Sequence, residues 1–266
     1  MNRDEKIKEL LSKERYFFDD LVSVVELLRG EGGCPWDIEQ THKSIRNDFI
    51  EETYEVIEAI DTEDPVLLRE ELGDVMLQVV FHARISTEDN EFDINDVTND
   101  ICAKLIHRHP HVFGDVVAKT PTEVLKNWDA IKSEEKSRVT FTDKLRAVPP
   151  MLPALMRATK VGKKAKCFDF PTTEDVLDKI SEELVEVSEA IDEGSAEHIS
   201  EEIGDLLLSI TSLCRKLGVS AEEALNAATS KFIDRFEKVE NKILEAEKSM
   251  ESCTLEELDA IWNKIK

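Results

Sequence analysis

The sequence predicts an all-α protein built from two tandem helical bundle domains, and three observations carry that prediction. Apolar residues recur three and four apart in nearly every segment between breakers, with none of the sustained alternation that marks a half-buried strand. Helix-start signals punctuate the chain: Asp64-Pro65 sets a cap ahead of a first-turn proline, and Thr120 with Glu123, Ser220 with Glu223 and Thr254 with Glu257 have capping-box spacing. The chain also repeats itself. EETYEVIEAID at 51–61 and EELVEVSEAID at 182–192 match at eight of eleven positions, with an offset of 131 residues.

In chain order, the periodicity predicts helices near residues 4–29, 42–61, 65–87, 94–109 and 121–137, then 152–164, and then 174–192, 196–217, 221–249 and 255–265. Ile45, Phe49, Thr53, Val56 and Ile60 give the second helix its apolar stripe, and Leu68, Leu72, Val75, Met76 and Val79 give the third its own. The short connection at 61–64 makes these two helices antiparallel neighbours. The repeat offset persists through Glu70-Glu71-Leu72-Gly73-Asp74, which lies over Glu201-Glu202-Ile203-Gly204-Asp205. After a four-residue shortening, Lys104 and Arg108 answer to Lys231 and Arg235, and Trp128 to Trp262. A repeat of this length is a duplicated domain, because each copy has helices enough to bury its own core. The reading is a first domain at 1–138, a linker at 139–171 with a short basic helix (Arg157, Lys160, Lys163, Lys164, Lys166), and a second domain at 172–266.

Charge narrows the function. With 58 acidic against 34 basic residues, a net charge of -24 repels nucleic acid and anionic lipid, so neither a polynucleotide nor a membrane is expected as partner. A small phosphorylated ligand stays admissible wherever carboxylates hold divalent cations. The five cysteines are odd in number and include no CxxC pair, and the chain opens Met-Asn-Arg-Asp-Glu-Lys without an apolar run, so reduced thiols and a cytoplasmic location are expected.

The chemistry resides in paired acids. Glu52 and Glu55 share one helix face and Glu71 and Asp74 share a face of the next, while Glu183, Glu186, Glu202 and Asp205 repeat the set in the second copy. Four carboxylates meeting at the edge of a core repel unless cations neutralise them, and an all-oxygen set suits Mg²⁺, with Mn²⁺ as the alternative. A single such pair is usually a solvated helix face; two pairs on neighbouring helices, duplicated at fixed spacing, point to a site. Lys104 with Arg108, and Lys231 with Arg235, can present cations to phosphates, or can be ordinary ion-pair partners. Trp128 and Trp262 suit base stacking or core packing. His107, His109 and His111 alternate around a helix-ending proline, which favours a loop-shaping or phosphate-side role over a zinc site, and Gly30-Glu31-Gly32-Gly33 lacks the GK[ST] of a phosphate-binding loop.

Specific motifs then connect the chain to a family. Gly33-Cys34-Pro35-Trp36-Asp37, Gln40-Thr41-His42, the two acidic quartets, Arg108-His109-Pro110-His111-Val112-Phe113-Gly114, Asn127-Trp128 and Phe168-Asp169-Phe170 resemble, over essentially the whole chain, the tandem-domain MazG branch of the all-α NTP pyrophosphohydrolases. The resemblance implies two MazG-type bundles, a homodimer, Mg²⁺, and hydrolysis of a nucleoside triphosphate to the monophosphate and pyrophosphate with broad specificity. It further implies that the C-terminal copy is the active one, with metal ligands Glu183, Glu186, Glu202 and Asp205 and with Lys179, Glu182, Lys231, Arg235 and Trp262 around the nucleotide. The first copy's Glu52, Glu55, Glu71 and Asp74 form a second candidate metal set, but Asp48 stands where the second copy has Lys179 and repels a triphosphate. The competing reading is a non-catalytic acidic interaction module. A di-iron bundle needs two ExxH motifs, and this chain has only Glu39 to His42.

Overall fold

The computed structural model describes residues 2–135 and 140–265. Among the described residues the regular structure is helical, with no strand, in agreement with the all-α expectation. The chain folds as two compact units, residues 1–132 and 133–266. The sequence-derived boundary between 138 and 139 lies outside the described residues.

The first unit holds α1 (Arg3–Leu11), α2 (Phe18–Arg29), α3 (Pro35–Glu39), α4 (Arg46–Asp61), α5 (Pro65–Glu88), α6 (Ile94–Arg108), α7 (Pro110–Phe113) and the start of α8 (Pro121–Glu135). The helix expected over 4–29 is therefore two. Its periodicity is interrupted at 12–17, where the Asp20 carboxylate accepts from the Phe17 N–H and the Lys13 ammonium and so restarts the helix with a cap. The helix expected from 42 begins at Arg46, because Thr41 and Ser44 exchange backbone-to-hydroxyl hydrogen bonds of 2.9 and 3.2 Å and hold a turn. Pro35 and Pro110 each open a short helix, using the first-turn position that needs no N–H.

Asp64 caps α5 as its sequence predicts, accepting from Val66 and Leu67 N–H groups, and the connection at 62–64 folds α5 back along α4. The core is Val25, Ile45, Val80, Phe81 and Ile85, so α2 and α5 carry it jointly. Leu72 and Met76, expected in the buried stripe, are instead about half exposed (48% and 45%).

The second unit holds α9 (Phe141–Arg146), α10 (Ala154–Lys164), α11 (Thr173–Glu193), α12 (Ala196–Leu217), α13 (Ala221–Glu245) and α14 (Leu255–Ile265). A reciprocal capping box between Thr172 and Asp175 starts α11. Gly194 ends it at φ 74°, a left-handed conformation that favours glycine, and Ser195 caps α12 at once. This two-residue joint makes α11 and α12 a tight hairpin, the most extensive helix pair in the unit. The basic helix α10 packs on α12 and α13. Thr254 and Glu257 form the full capping box expected of α14, whereas α13 stops at Glu245, short of the expected 249, where the chain reaches Glu247 at φ 55°.

Candidate active site

Each hairpin gathers acids at one point. In the second unit, Glu183 and Glu186 of α11 and Glu202 of α12 bring carboxylate oxygens within 4.8 Å of one another. Glu183 is 4% exposed, and its Oε2 is buried with no hydrogen-bond partner. A buried carboxylate oxygen without a donor is costly, so that atom calls for a cation. Lys179, one turn ahead, supplies part of the compensation: its Nζ stands 2.8 Å from Glu182 Oε1, 2.9 Å from Glu183 Oε1 and 3.9 Å from Glu186 Oε2. These carboxylates, Glu182 first and then Glu183, raise the Lys179 pKa well above that of an ordinary lysine. Burial raises Glu186 above the usual carboxylate value; Lys179 opposes that shift, and Glu183 and Glu202 add to it.

Asp205, an exposed residue one turn beyond Glu202, falls outside the three-acid cluster and lines, with Lys179 and Glu183, a cavity of about 280 Å³ beside it. Two partners escaped the sequence reading. His198 joins Glu193 Oε2 (2.9 Å, from Nδ1) to Glu202 Oε1 (3.0 Å, from Nε2), and these contacts, Glu193 first, raise its pKa. Its position four residues before Glu202, on the same helix face, was the available signal. Arg215 grips Asp169 of the Phe-Asp-Phe motif through two hydrogen bonds of 2.6 and 2.7 Å, a pairing across 46 residues that no local spacing reveals.

Lys231, Arg235 and Trp262 belong to other helices of this unit. Lys231 and Arg235 are on α13 and Trp262 is on α14, where its ring lies 5.3 Å from Phe232 and 5.9 Å from the Arg235 guanidinium carbon. The cavity there, about 340 Å³, is lined by Phe232, Phe236, Val239 and Trp262 and by none of the four carboxylates.

In the first unit, Glu52, Glu55 and Glu71 form the matching cluster, also within 4.8 Å. Asp74 stands close enough to raise the Glu52 pKa, second only to burial; burial and then Glu55 raise that of Glu71. With Asp48 at the position of Lys179, this cluster lacks the corresponding lysine. Further along α5, His82 stacks on His42 with ring centroids 5.0 Å apart, and Arg108 lies over Trp128 at 5.3 Å.

Fold and site together define a class: all-α chains in which a helical hairpin concentrates carboxylates, here duplicated. Comparison gives the family. The signature of the MazG nucleotide pyrophosphohydrolase domain matches residues 40–113 and 171–240, and so covers both hairpins. The chain is 45% identical over 251 residues to the nucleoside triphosphate pyrophosphohydrolase/pyrophosphatase MazG of Thermotoga maritima, covering 94% of this chain and 95% of that one. It is 42% identical to the nucleoside triphosphate pyrophosphohydrolase of Escherichia coli K12, with 93% and 96% covered. The corresponding Mycobacterium tuberculosis protein is 33% identical, with 90% and 62% covered. The chain belongs to the MazG nucleotide pyrophosphohydrolase family.

Proposed function

We propose that the α11–α12 hairpin is the active centre of this nucleoside triphosphate pyrophosphohydrolase, cleaving the α–β phosphoanhydride so that NTP and water give NMP and pyrophosphate. The chain is a hydrolase of that class, the activity for which its relatives are named. The single observation that carries the assignment to this hairpin is the orphaned, buried Glu183 Oε2 within a three-carboxylate cluster.

Glu183, Glu186 and Glu202, with Asp205 beside them, fit a hard divalent cation: all their donors are oxygens, and one of them has no other partner. When bound, Mg²⁺, or Mn²⁺ in its place, supplies positive charge to the acids and to phosphate oxygens. Lys179 and Glu182 then stand at the edge of the phosphate site, the lysine as a mobile point charge. Lys231 and Arg235 provide further cations for phosphates, and Trp262 supports Arg235.

Glu52, Glu55, Glu71 and Asp74 form a second cation site without the lysine, so turnover belongs to the second unit. A homodimer accords with the exposed apolar residues repeated on both hairpins, Tyr54, Leu72 and Met76 in one and Val185, Ile203 and Leu207 in the other. The α13–α14 arm, which lines its own cavity, suits a nucleotide gathered between two copies. The free cysteines fit a reducing cytoplasm, the net charge of -24 disfavours nucleic acid, and among the described residues no helix is long and apolar enough to cross a membrane.

The test is product identification. Purified protein is incubated with each NTP and Mg²⁺, and NMP and pyrophosphate are expected in equal amounts. Release of NDP and phosphate contradicts the assigned bond.

A further inference from the structure

The cavity beside Glu183 and Asp205 is lined by residues of α10, the turn that follows it, α11 and α12. Val161, Ala165, Phe168 and Leu208 give it apolar walls, and the buried Ser209 adds a hydroxyl. Its volume, about 280 Å³, lies just under the range of roughly 300–1,000 Å³ for pockets that take a whole small ligand, so it suits part of a nucleotide. Three features say which part.

The far wall includes Arg215, but Asp169 already satisfies its guanidinium on two nitrogens, so the cavity offers no free cation to a phosphate there. The same ion pair fixes the Lys166–Pro171 turn, with the Phe168 N–H bonded to Ala165 O at 2.8 Å, and Gly162 leaves room for it, since a Cβ there would stand 3.1 Å from Arg215 Nε. Phe168 is nevertheless 88% exposed. A large aromatic ring held on an anchored turn and left in water beside a phosphate site is poised to stack.

The repeat supplies an internal control. Where the second copy has Ser209 and Ser212 on this wall, the first has Gln78 and Phe81, both buried. Small residues open the space in one copy, and bulky ones occupy the same positions in the other.

We infer that this cavity is the nucleobase pocket of the second unit, with Phe168 as its stacking face and Ser209 as its polar floor. The inference rests on the pyrophosphohydrolase reading and extends it. A flat apolar face with one hydroxyl accepts any base, because stacking is sequence-tolerant, and so the site discriminates weakly among NTPs.

Calorimetry on the full chain with Mg²⁺ tests this with two probes, α,β-methylene-ATP, which has a base, and inorganic tripolyphosphate, which has none. Phe168→Ala should weaken the nucleotide analogue about tenfold, within the range for losing one base–aromatic stack. Tripolyphosphate binding should stay within about twofold, the scatter of ordinary surface changes. Ser209→Leu, which fills the cavity, should act in the same direction, and Trp262→Ala should affect the analogue less than Phe168→Ala does. The proposal is overturned by an unchanged analogue affinity in Phe168→Ala, by equal loss for both probes, or by base-dependent loss that appears only in Trp262→Ala. It is also overturned if Phe168→Ala dissociates an oligomer in light scattering, for then a second copy covers the ring. Wild-type protein that releases no pyrophosphate from any NTP removes the underlying reading itself, an outcome distinct from all of these.

Discussion

Replacing Lys179 with methionine keeps the length and the apolar stem and removes only the charge. In the metal-free protein that charge is shared among Glu182, Glu183 and Glu186 at 2.8, 2.9 and 3.9 Å, and Glu183 has a side chain only 5% exposed. Breaking a fully buried pair costs about 3–5 kcal/mol by stranding the remaining charge. Here the lysine side chain is 31% exposed and Glu186 40%, so solvent screening reduces the expected loss to about 1–3 kcal/mol. For a unit of this size that corresponds to a fall of about 3–10 °C in the melting temperature. Divalent cation should reverse it, because a ligand at about 100 times its Kd adds about 2.7 kcal/mol, and no ammonium competes for Glu183 in the variant. The assay is differential scanning calorimetry of wild type and Lys179→Met, each in chelator and in excess Mg²⁺. The expected result is a lower melting temperature in chelator and a larger gain from Mg²⁺ in the variant. Equal melting temperatures in chelator, or equal gains, refute the view that lysine and metal share one electrostatic role.

Other consequences follow from the same acids. Glu183→Gln with Glu186→Gln should lower turnover by about two orders of magnitude or more, while Glu52→Gln with Glu55→Gln leaves most of it; equal loss from both pairs contradicts the assignment to the second unit. Glu52 and Glu71 bind protons more tightly folded than unfolded, so in chelator their contribution is best below the ordinary value of 4.5 and is lost as pH rises through their folded values. Glu52→Gln plus Glu71→Gln should flatten that slope in urea titrations and stabilise the protein at pH 7, and an unaltered slope sinks the idea. His198 behaves oppositely to a lowered acid: its raised pKa makes its stabilisation complete below the usual 6.5 and lost as pH climbs through the folded value. His198→Gln should therefore destabilise the metal-free protein at pH 6 and leave it unchanged at pH 9, and equal effects at both values count against the bridge to Glu193 and Glu202.

Much of this architecture is legible from one sequence because two periodicities coincide. The 3.6-residue spacing puts Glu183 with Glu186 and Glu202 with Asp205 on helix faces, and the 131-residue repeat shows that the arrangement recurs. Capping chemistry marks the starts of α5 and α14 from three or four residues each. Contacts that depend on the three-dimensional path of the chain are not legible. Arg215 meets Asp169 only because α10 and the following turn fold onto α12. Apolar periodicity also cannot tell a residue buried in its own unit from one awaiting another surface, so Leu72 and Met76 look like core in the sequence and are half exposed in the fold. The four acids likewise look equivalent, yet three converge and Asp205 lines the cavity beside them. The resemblance groups Lys231, Arg235 and Trp262 with the acids, and Trp262 lines, with Phe232 and Phe236, a cavity that none of the four acids lines.

The most direct measurement is a calorimetric titration of the full chain with Mn²⁺ and with Mg²⁺, alone and with a nonhydrolysable nucleotide, on wild type and on Glu183→Gln plus Glu202→Gln. Uptake by the wild type that is tightened by nucleotide and reduced in the double variant is the expected outcome. No uptake under either condition, or uptake identical in the two proteins, contradicts a cation held between α11 and α12.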